Sequence, residues 1–110
     1  MRLTLWTQHN AWIHAGATVV VALAGWYFHI RRAEWAAIII SSAAVWVAES
    51  LNTAVEFVAD ATRKEQDPLI RDAKDVAAGA VLIAAIAAVL VAIIVFAPYV
   101  MLVVSKHWPE

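Results

Sequence analysis

The chain has 110 residues, of which 64% are hydrophobic and 15% are charged, and its mean hydropathy is +0.73. A soluble domain of this length leaves much of its surface in water, so an apolar excess this large indicates a protein surrounded by lipid. The formal net charge of -1 and the short, mixed charge runs provide no basic surface for nucleic acid, and the lack of cysteine excludes disulfides and thiolate sites.

Three long stretches contain no Asp, Glu, Lys or Arg: residues 3–30, 35–48 and 76–105. The first and third exceed the roughly 20 residues that a helix needs to cross a bilayer. The second stretch rises only about 21 Å at 1.5 Å per residue, which is less than the hydrocarbon thickness. Its helix must therefore continue through Glu49 and Asn52 before it leaves the membrane core.

These stretches predict an all-α, three-span transmembrane protein that forms a single membrane domain over residues 1–110. The predicted spans are residues 13–30, 34–60 and 75–97. With three spans, the N-terminus and the second loop lie on the same side of the membrane. That side carries five of the eight Lys and Arg residues, namely Arg2, Arg63, Lys64, Arg71 and Lys74. The excess favours it as the cytoplasmic side.

Four polar residues of the second span recur at helical spacing: Glu49, Asn52, Glu56 and Asp60. Intervals of three, four and four residues keep them within an arc of about 80° on one helix face. A carboxylate in mid-membrane costs roughly 2.5–3.5 kcal/mol on insertion scales, so we expect this stripe to face protein and to serve chemistry. The spacing leaves one alternative open, which is polar contact between the helices of an oligomer.

Lys74 and Asp75 come directly before the third span, and four small residues, 77–80, follow them. Small residues let helix backbones approach closely, so we expect Lys74 and Asp75 to lie beside the cytoplasmic half of the stripe. Carboxylates with an ammonium group could hold a phosphate bound to Mg²⁺, which prefers oxygen ligands. His9 and His14 are about 140° apart around a helix, which argues against a metal site built on both.

Two segments carry a family resemblance. E-S-L-N-T-A-V-E at residues 49–56, followed by Asp60, and A-K-D-V-A-A-G-A-V-L at residues 73–82 resemble the signature of the prokaryotic diacylglycerol kinase family. The resemblance extends over about residues 7–96. Residues 10–14 also look like the N-x-x-I-H stretch of the undecaprenol kinase branch of that family, and this branch is favoured over the diacylglycerol branch.

The resemblance implies a small lipid kinase that works as a homotrimer, with active sites between subunits. It implies transfer of the γ-phosphate of Mg-ATP to a lipid alcohol, either undecaprenol or diacylglycerol. The expected location is the bacterial cytoplasmic (inner) membrane, with the active site facing the cytoplasm. No nucleic-acid partner is expected.

The resemblance also implies roles for the stripe. By this comparison Glu49 is similar to the general base of the family and Glu56 to a magnesium ligand. Asn52 and Asp60 correspond to residues that support the nucleotide and metal site. These roles agree with the carboxylate chemistry that phosphoryl transfer to a hydroxyl requires.

Three further residues are assigned through the resemblance. Lys74 and Asp75 correspond to contacts with the nucleotide phosphates. Gln8 stands where the family often has a glutamate that shares the metal, so we expect its neutral oxygen to contact the metal and the nucleotide. The amphipathic surface helix that usually precedes this position is expected to be absent or reduced to residues 1–7.

Two alternative functions fit the same residues. The acidic stripe could line a water path for cations or protons in a small membrane oligomer. The chain could also be a catalytically inactive relative of the kinases, because Gln8 lacks the charge of the family glutamate and the N-terminal segment is short.

Overall fold

Three helices make up the described part of the chain. In this computed structural model the backbone is described for residues 2–62 and 67–107, and the side chains for residues 12–62 and 67–107. The helices are α1 (Arg2–Phe28), α2 (Arg32–Thr62) and α3 (Pro68–His107), and the described residues form no strand. The all-α prediction is confirmed.

Two of the helices are long and apolar enough to cross a membrane, namely α2 with 31 residues and α3 with 40. The apolar part of α1, Trp12–Phe28, is shorter, and the side chains that precede it lie outside the described residues. The three-span topology and its boundaries therefore stay predictions. Large apolar side chains are widely exposed, as Ile83 (72%) and Ile94 (73%) illustrate, which suits helices that face lipid or further protein.

The turn between α1 and α2 is a Schellman motif. The backbone N–H of Ile30 donates to the carbonyl of Gly25, and that of His29 donates to the carbonyl of Trp26, both at 3.2 Å. His29 has a φ of 53°, the left-handed conformation that this motif requires just after the helix. Ile30 then turns into the core, where it is buried. The chain thus reverses direction within a few residues.

Glu34 links the start of α2 to α3. Its Oε1 accepts a hydrogen bond from the backbone N–H of Arg31 at 2.9 Å, which caps the first turn of α2. The same oxygen accepts a hydrogen bond from the hydroxyl of Tyr99 on α3. The side chain of Glu34 is only 19% exposed. This carboxylate therefore has a structural role at the end of the bundle that contains the turn.

The main apolar cluster lies at this same end. Its buried members are Ile30, Ile38 and Val95. The ring of Phe28 on α1 lies 5.7 Å from the ring of Tyr99 and 6.1 Å from that of Phe96, measured between centroids. Elsewhere, the contact between α2 and α3 is much more extensive than that between α1 and α2. The main apolar contact of α1 with the other two helices is therefore at its C-terminal end.

Gly25 allows α1 to approach Trp35 of α2 closely. A Cβ atom at this position would stand 2.7 Å from Cη2 and 2.9 Å from Cζ2 of the Trp35 ring. We predict that Gly25→Val lowers the thermal unfolding midpoint in detergent, because overpacking typically costs about 1–3 kcal/mol. Gly16→Val is the matched control on the same helix, since a Cβ atom there meets no described atom within 4 Å. Equal midpoints for the two variants would contradict the close contact.

Candidate active site

The polar stripe of α2 lies on a face that turns inward. Val45, which is buried, precedes Glu49 by one helical turn on this face. The side chain of Glu49 is 18% exposed. Asn52 and Glu56 are half-buried, whereas Asp60 near the end of α2 is exposed. The stripe is therefore enclosed at Glu49 and opens toward Asp60.

Two hydroxyl groups next to the stripe form hydrogen bonds with their own helix. Ser50 donates to the carbonyl of Trp46 at 2.8 Å, and Thr53 donates to that of Glu49 at 3.0 Å. Such back-bonding satisfies a hydroxyl inside an apolar environment without a partner from another helix. The carboxylate and amide side chains of the stripe are longer than those of serine and threonine, and they carry more hydrogen-bond acceptors. They are therefore the groups that can reach a second helix or a ligand.

Glu49 is hydrogen-bonded to a histidine on another helix. Nε2 of His14 on α1 lies 2.9 Å from Oε2 of Glu49, and the two residues are 35 positions apart in the chain. Their side chains are 22% and 18% exposed. A carboxylate that is largely removed from solvent needs such a partner, because an unpaired polar group costs free energy when buried.

A second polar contact joins α1 and α2 beside this pair. The indole Nε1 of Trp46 donates to Oγ1 of Thr18 at 3.3 Å, and Thr18 donates to the backbone carbonyl of His14 at 2.7 Å. The rings of Trp46 and His14 are tilted by 56° with centroids 5.7 Å apart. The imidazole is thus bordered by an aromatic ring on one side and by the Glu49 carboxylate on another.

Asn52 presents an unsatisfied acceptor on the same face. Its Oδ1 is buried and has no hydrogen-bond partner among the described residues. Glu56 follows one turn later and is half-buried. One carboxylate with an amide oxygen fits Mg²⁺, which is usually held by one or two carboxylates and completes its octahedron with waters and substrate phosphates. The described residues contain no cluster of three or more His, Asp or Glu side chains that could hold a metal ion.

Lys74 and Asp75 lie on the second turn of α3. Lys74 is half-buried and Asp75 is exposed. Within the described residues, no hydrogen bond or ion pair joins either of them to the stripe. A Cβ atom at Gly79 would meet nothing within 4 Å among the described residues. The predicted position of Lys74 and Asp75 beside the stripe stays a prediction.

Gln8 belongs to α1, but its side chain lies outside the described residues, as do those of His9 and Asn10. The predicted contact of Gln8 with the metal and the nucleotide stays a prediction.

A cavity of about 230 Å³ lies between the three helices next to His14. Most of its lining is apolar, and α3 contributes the small side chains of Ala85, Ala88 and Ala92. Thr18 and Ser42 provide hydroxyl groups at the wall. The imidazole of His14 is part of the lining, so the residue that contacts Glu49 also borders an apolar space.

The contact of His14 with Glu49 was not predicted from the sequence. The sequence pattern points to His14 only through its spacing from His9 and through the N-x-x-I-H stretch. A histidine inside an otherwise uncharged stretch is itself a signal, because it needs a polar partner within the membrane. That partner is the first carboxylate of the stripe.

A family model described as prokaryotic diacylglycerol kinase matches residues 1–96, which include α1, α2, the stripe and most of α3. The chain belongs to the prokaryotic diacylglycerol kinase family. The resemblance seen in the two sequence segments is confirmed, and the chain is a member of a family of lipid kinases. Together with the two long apolar helices, this membership indicates a membrane protein.

Two curated relatives are similar to this chain. Undecaprenol kinase of Bacillus subtilis is 33% identical over 92 residues, which cover 84% of this chain and 75% of that protein. Diacylglycerol kinase of Synechocystis is 44% identical over 86 residues, which cover 77% of this chain and 49% of that protein. The chain therefore spans about half the length of the second relative. No solved structure matches it.

Proposed function

We propose that this protein is an integral membrane lipid kinase that transfers the γ-phosphate of Mg-ATP to a lipid alcohol. The observation that carries the proposal is the position of Glu49: it is half-buried on the inward face of α2 and hydrogen-bonded to His14, which lines an apolar cavity. This is the environment in which a carboxylate can take a proton from a lipid hydroxyl.

Glu49 is proposed as the general base. A lipid hydroxyl is a weak nucleophile, and its proton must leave as the bond to phosphorus forms. Oε2 of Glu49 is engaged by His14, whereas no described residue forms a hydrogen bond to Oε1. Oε1 is therefore the oxygen proposed to accept the proton.

Glu56 and Asn52 are proposed to hold Mg²⁺, with Gln8 contributing a neutral oxygen to the metal and the nucleotide. The bound ion would neutralise charge on the phosphates during transfer. The buried Oδ1 of Asn52, which has no partner among the described residues, supports this placement. Asp60 is proposed to support the same site.

Lys74 and Asp75 are proposed to contact the nucleotide phosphates. Neither is committed to an ion pair within the described residues, so the Lys74 ammonium group can meet an anionic ligand. They begin α3, whereas Glu56 and Asp60 end α2, and the two helices are consecutive in the chain. This order supports a position of all four residues toward the same end of the helix pair.

The proposed acceptor is undecaprenol, with diacylglycerol as the alternative. The N-x-x-I-H stretch at residues 10–14 supports the first, whereas the diacylglycerol kinase relative, at 44% identity against 33%, keeps the second as the alternative. The apolar cavity beside His14 is proposed to receive the part of the lipid chain next to its hydroxyl. Such a space would select a lipid mainly by its shape, because apolar contacts discriminate weakly between one hydrocarbon chain and another.

The proposed setting is the bacterial cytoplasmic membrane, with three spans and the site on the cytoplasmic side. The distribution of Lys and Arg supports this orientation. A homotrimer is proposed through the family resemblance. The widely exposed apolar side chains of α2 and α3 are compatible with contacts to further subunits.

The decisive experiment is a transfer assay with purified protein in mixed micelles. We predict that labelled phosphate moves from ATP to undecaprenol faster than to diacylglycerol when Mg²⁺ is present. Chelation of Mg²⁺ should stop transfer to both acceptors. Faster transfer to diacylglycerol would reverse the choice of acceptor, and no transfer to either would contradict the proposed kinase and favour the inactive relative.

A further inference from the structure

We propose that His14 is a positioning residue that holds the carboxylate of Glu49 in its reactive orientation. The inference rests on the proposed function and extends it to a residue on α1. Nε2 of His14 lies 2.9 Å from Oε2 of Glu49, within the range of a strong hydrogen bond. A general base must be ionised and an ionised carboxylate can only accept, so in this proposal Nε2 of His14 is the donor to Glu49.

The hydrogen bond distinguishes the two oxygens of Glu49. Oε2 is occupied by His14, and Oε1 has no hydrogen-bond partner among the described residues. With one oxygen fixed, rotation of the terminal carboxylate is restricted and Oε1 keeps a single direction. A base whose carboxylate is already oriented does not have to be ordered during the reaction. The entropy cost of orienting it is therefore met in the folded protein, which lowers the barrier to proton transfer.

The imidazole of His14 is itself fixed from α2. Trp46 lies against the ring, with centroids 5.7 Å apart, and its indole N–H donates to Thr18. Thr18 in turn donates to the backbone carbonyl of His14 at 2.7 Å. Trp46 and Glu49 are three residues apart on α2, so one helical turn carries both the base and the ring that borders its partner. The imidazole of His14 is thus positioned by Trp46, which lies on the same helical turn of α2 as Glu49.

A purely structural reading of the contact makes a different prediction. If His14 only joined α1 to α2, its loss would lower stability and leave the rate of the chemical step unchanged in the folded protein. If His14 positions the base, its loss lowers kcat even where the fold is intact. A measurement of kcat in the folded variant therefore distinguishes the two hypotheses.

The test compares His14→Phe with His14→Gln in the transfer assay. Phenylalanine keeps a ring beside Trp46 but cannot donate, whereas the amide nitrogen of glutamine can donate from about the position of Nε2. We expect His14→Phe to lower kcat about 10–100-fold with little change in the KM for ATP, as a misplaced catalytic group does. His14→Gln should recover most of the loss. His107→Leu, at an exposed histidine on the last turn of α3, is the control and should keep the wild-type kcat.

A double-mutant cycle tests whether His14 acts through Glu49. Adding His14→Phe to Glu49→Gln should lower kcat no further, because the group that it positions is already lost. His14→Leu is a second apolar variant, to be used if His14→Phe does not migrate as a folded protein on size exclusion in detergent. A wild-type kcat in the folded apolar variant, equal losses in His14→Phe and His14→Gln, or additive losses in the cycle would each overturn the inference. An inactive wild-type protein would instead contradict the proposed function.

Discussion

Glu49→Gln is expected to lower kcat for phosphate transfer by about 10²–10⁴-fold, the usual contribution of a general base. Glutamine has nearly the same size and can still accept a hydrogen bond from His14, but it cannot take a proton. The KM for ATP should change little, since the proposed nucleotide contacts lie at Lys74 and Asp75. The measurement is a rate series with varied ATP and a saturating lipid acceptor, after size exclusion has shown that the variant is folded.

Glu34→Gln is the matched control for this experiment. Glu34 lies on the same helix and is 19% exposed, against 18% for Glu49. A glutamine at this position can still accept the hydrogen bonds from the Arg31 backbone and from Tyr99, so the capped turn is kept. Wild-type kcat is therefore expected. A Glu49→Gln variant that is as active as the Glu34→Gln variant would eliminate Glu49 as the base.

Glu56→Gln is expected to raise the Mg²⁺ concentration needed for half-maximal rate by at least about 10–100-fold. Loss of a residue that merely supports a metal ligand commonly costs that much affinity, so loss of a charged ligand should cost no less. The measurement is the initial rate as a function of free Mg²⁺ at fixed ATP. At high Mg²⁺ the variant should regain part of its rate, because Glu49 is still present.

Asp72→Asn provides the comparison for the magnesium titration. Asp72 is an exposed carboxylate on the first part of α3, outside the proposed site, and its loss changes the net charge by the same amount. Its magnesium dependence should match that of the wild-type protein. An unchanged magnesium dependence in Glu56→Gln, or an equal shift in both variants, would contradict a role for Glu56 as a ligand.

Much of α2 could be predicted from the sequence. An uninterrupted apolar stretch followed by Glu49, Asn52 and Glu56 at helical spacing predicts a long helix with one polar face, and α2 runs from Arg32 to Thr62 as a single helix. Periodicity is a local property, so the residues that share a face follow directly from their spacing. The inward direction of this face at Glu49 follows from the cost of a carboxylate in an apolar medium.

Contacts between helices were less accessible to sequence reasoning. The pairing of His14 with Glu49 joins residues 35 positions apart and depends on how α1 lies against α2. The spacing of polar residues on one helix contains no information about that packing. The same limit applies to Gly25, whose close contact with the ring of Trp35 does not follow from the sequence pattern.

The turn between α1 and α2 sets the angle between these helices, and any change in that angle produces a larger displacement farther along α1. The helix end at Phe28 and the imidazole of His14 are 14 residues apart, which corresponds to about 21 Å of helix. A tilt of α1 by about 5° at this turn would displace the imidazole by about 2 Å, which is more than the hydrogen bond to Glu49 tolerates. Substitutions around His29, at the other end of this helix segment from His14, would therefore change the orientation of the Glu49 carboxylate.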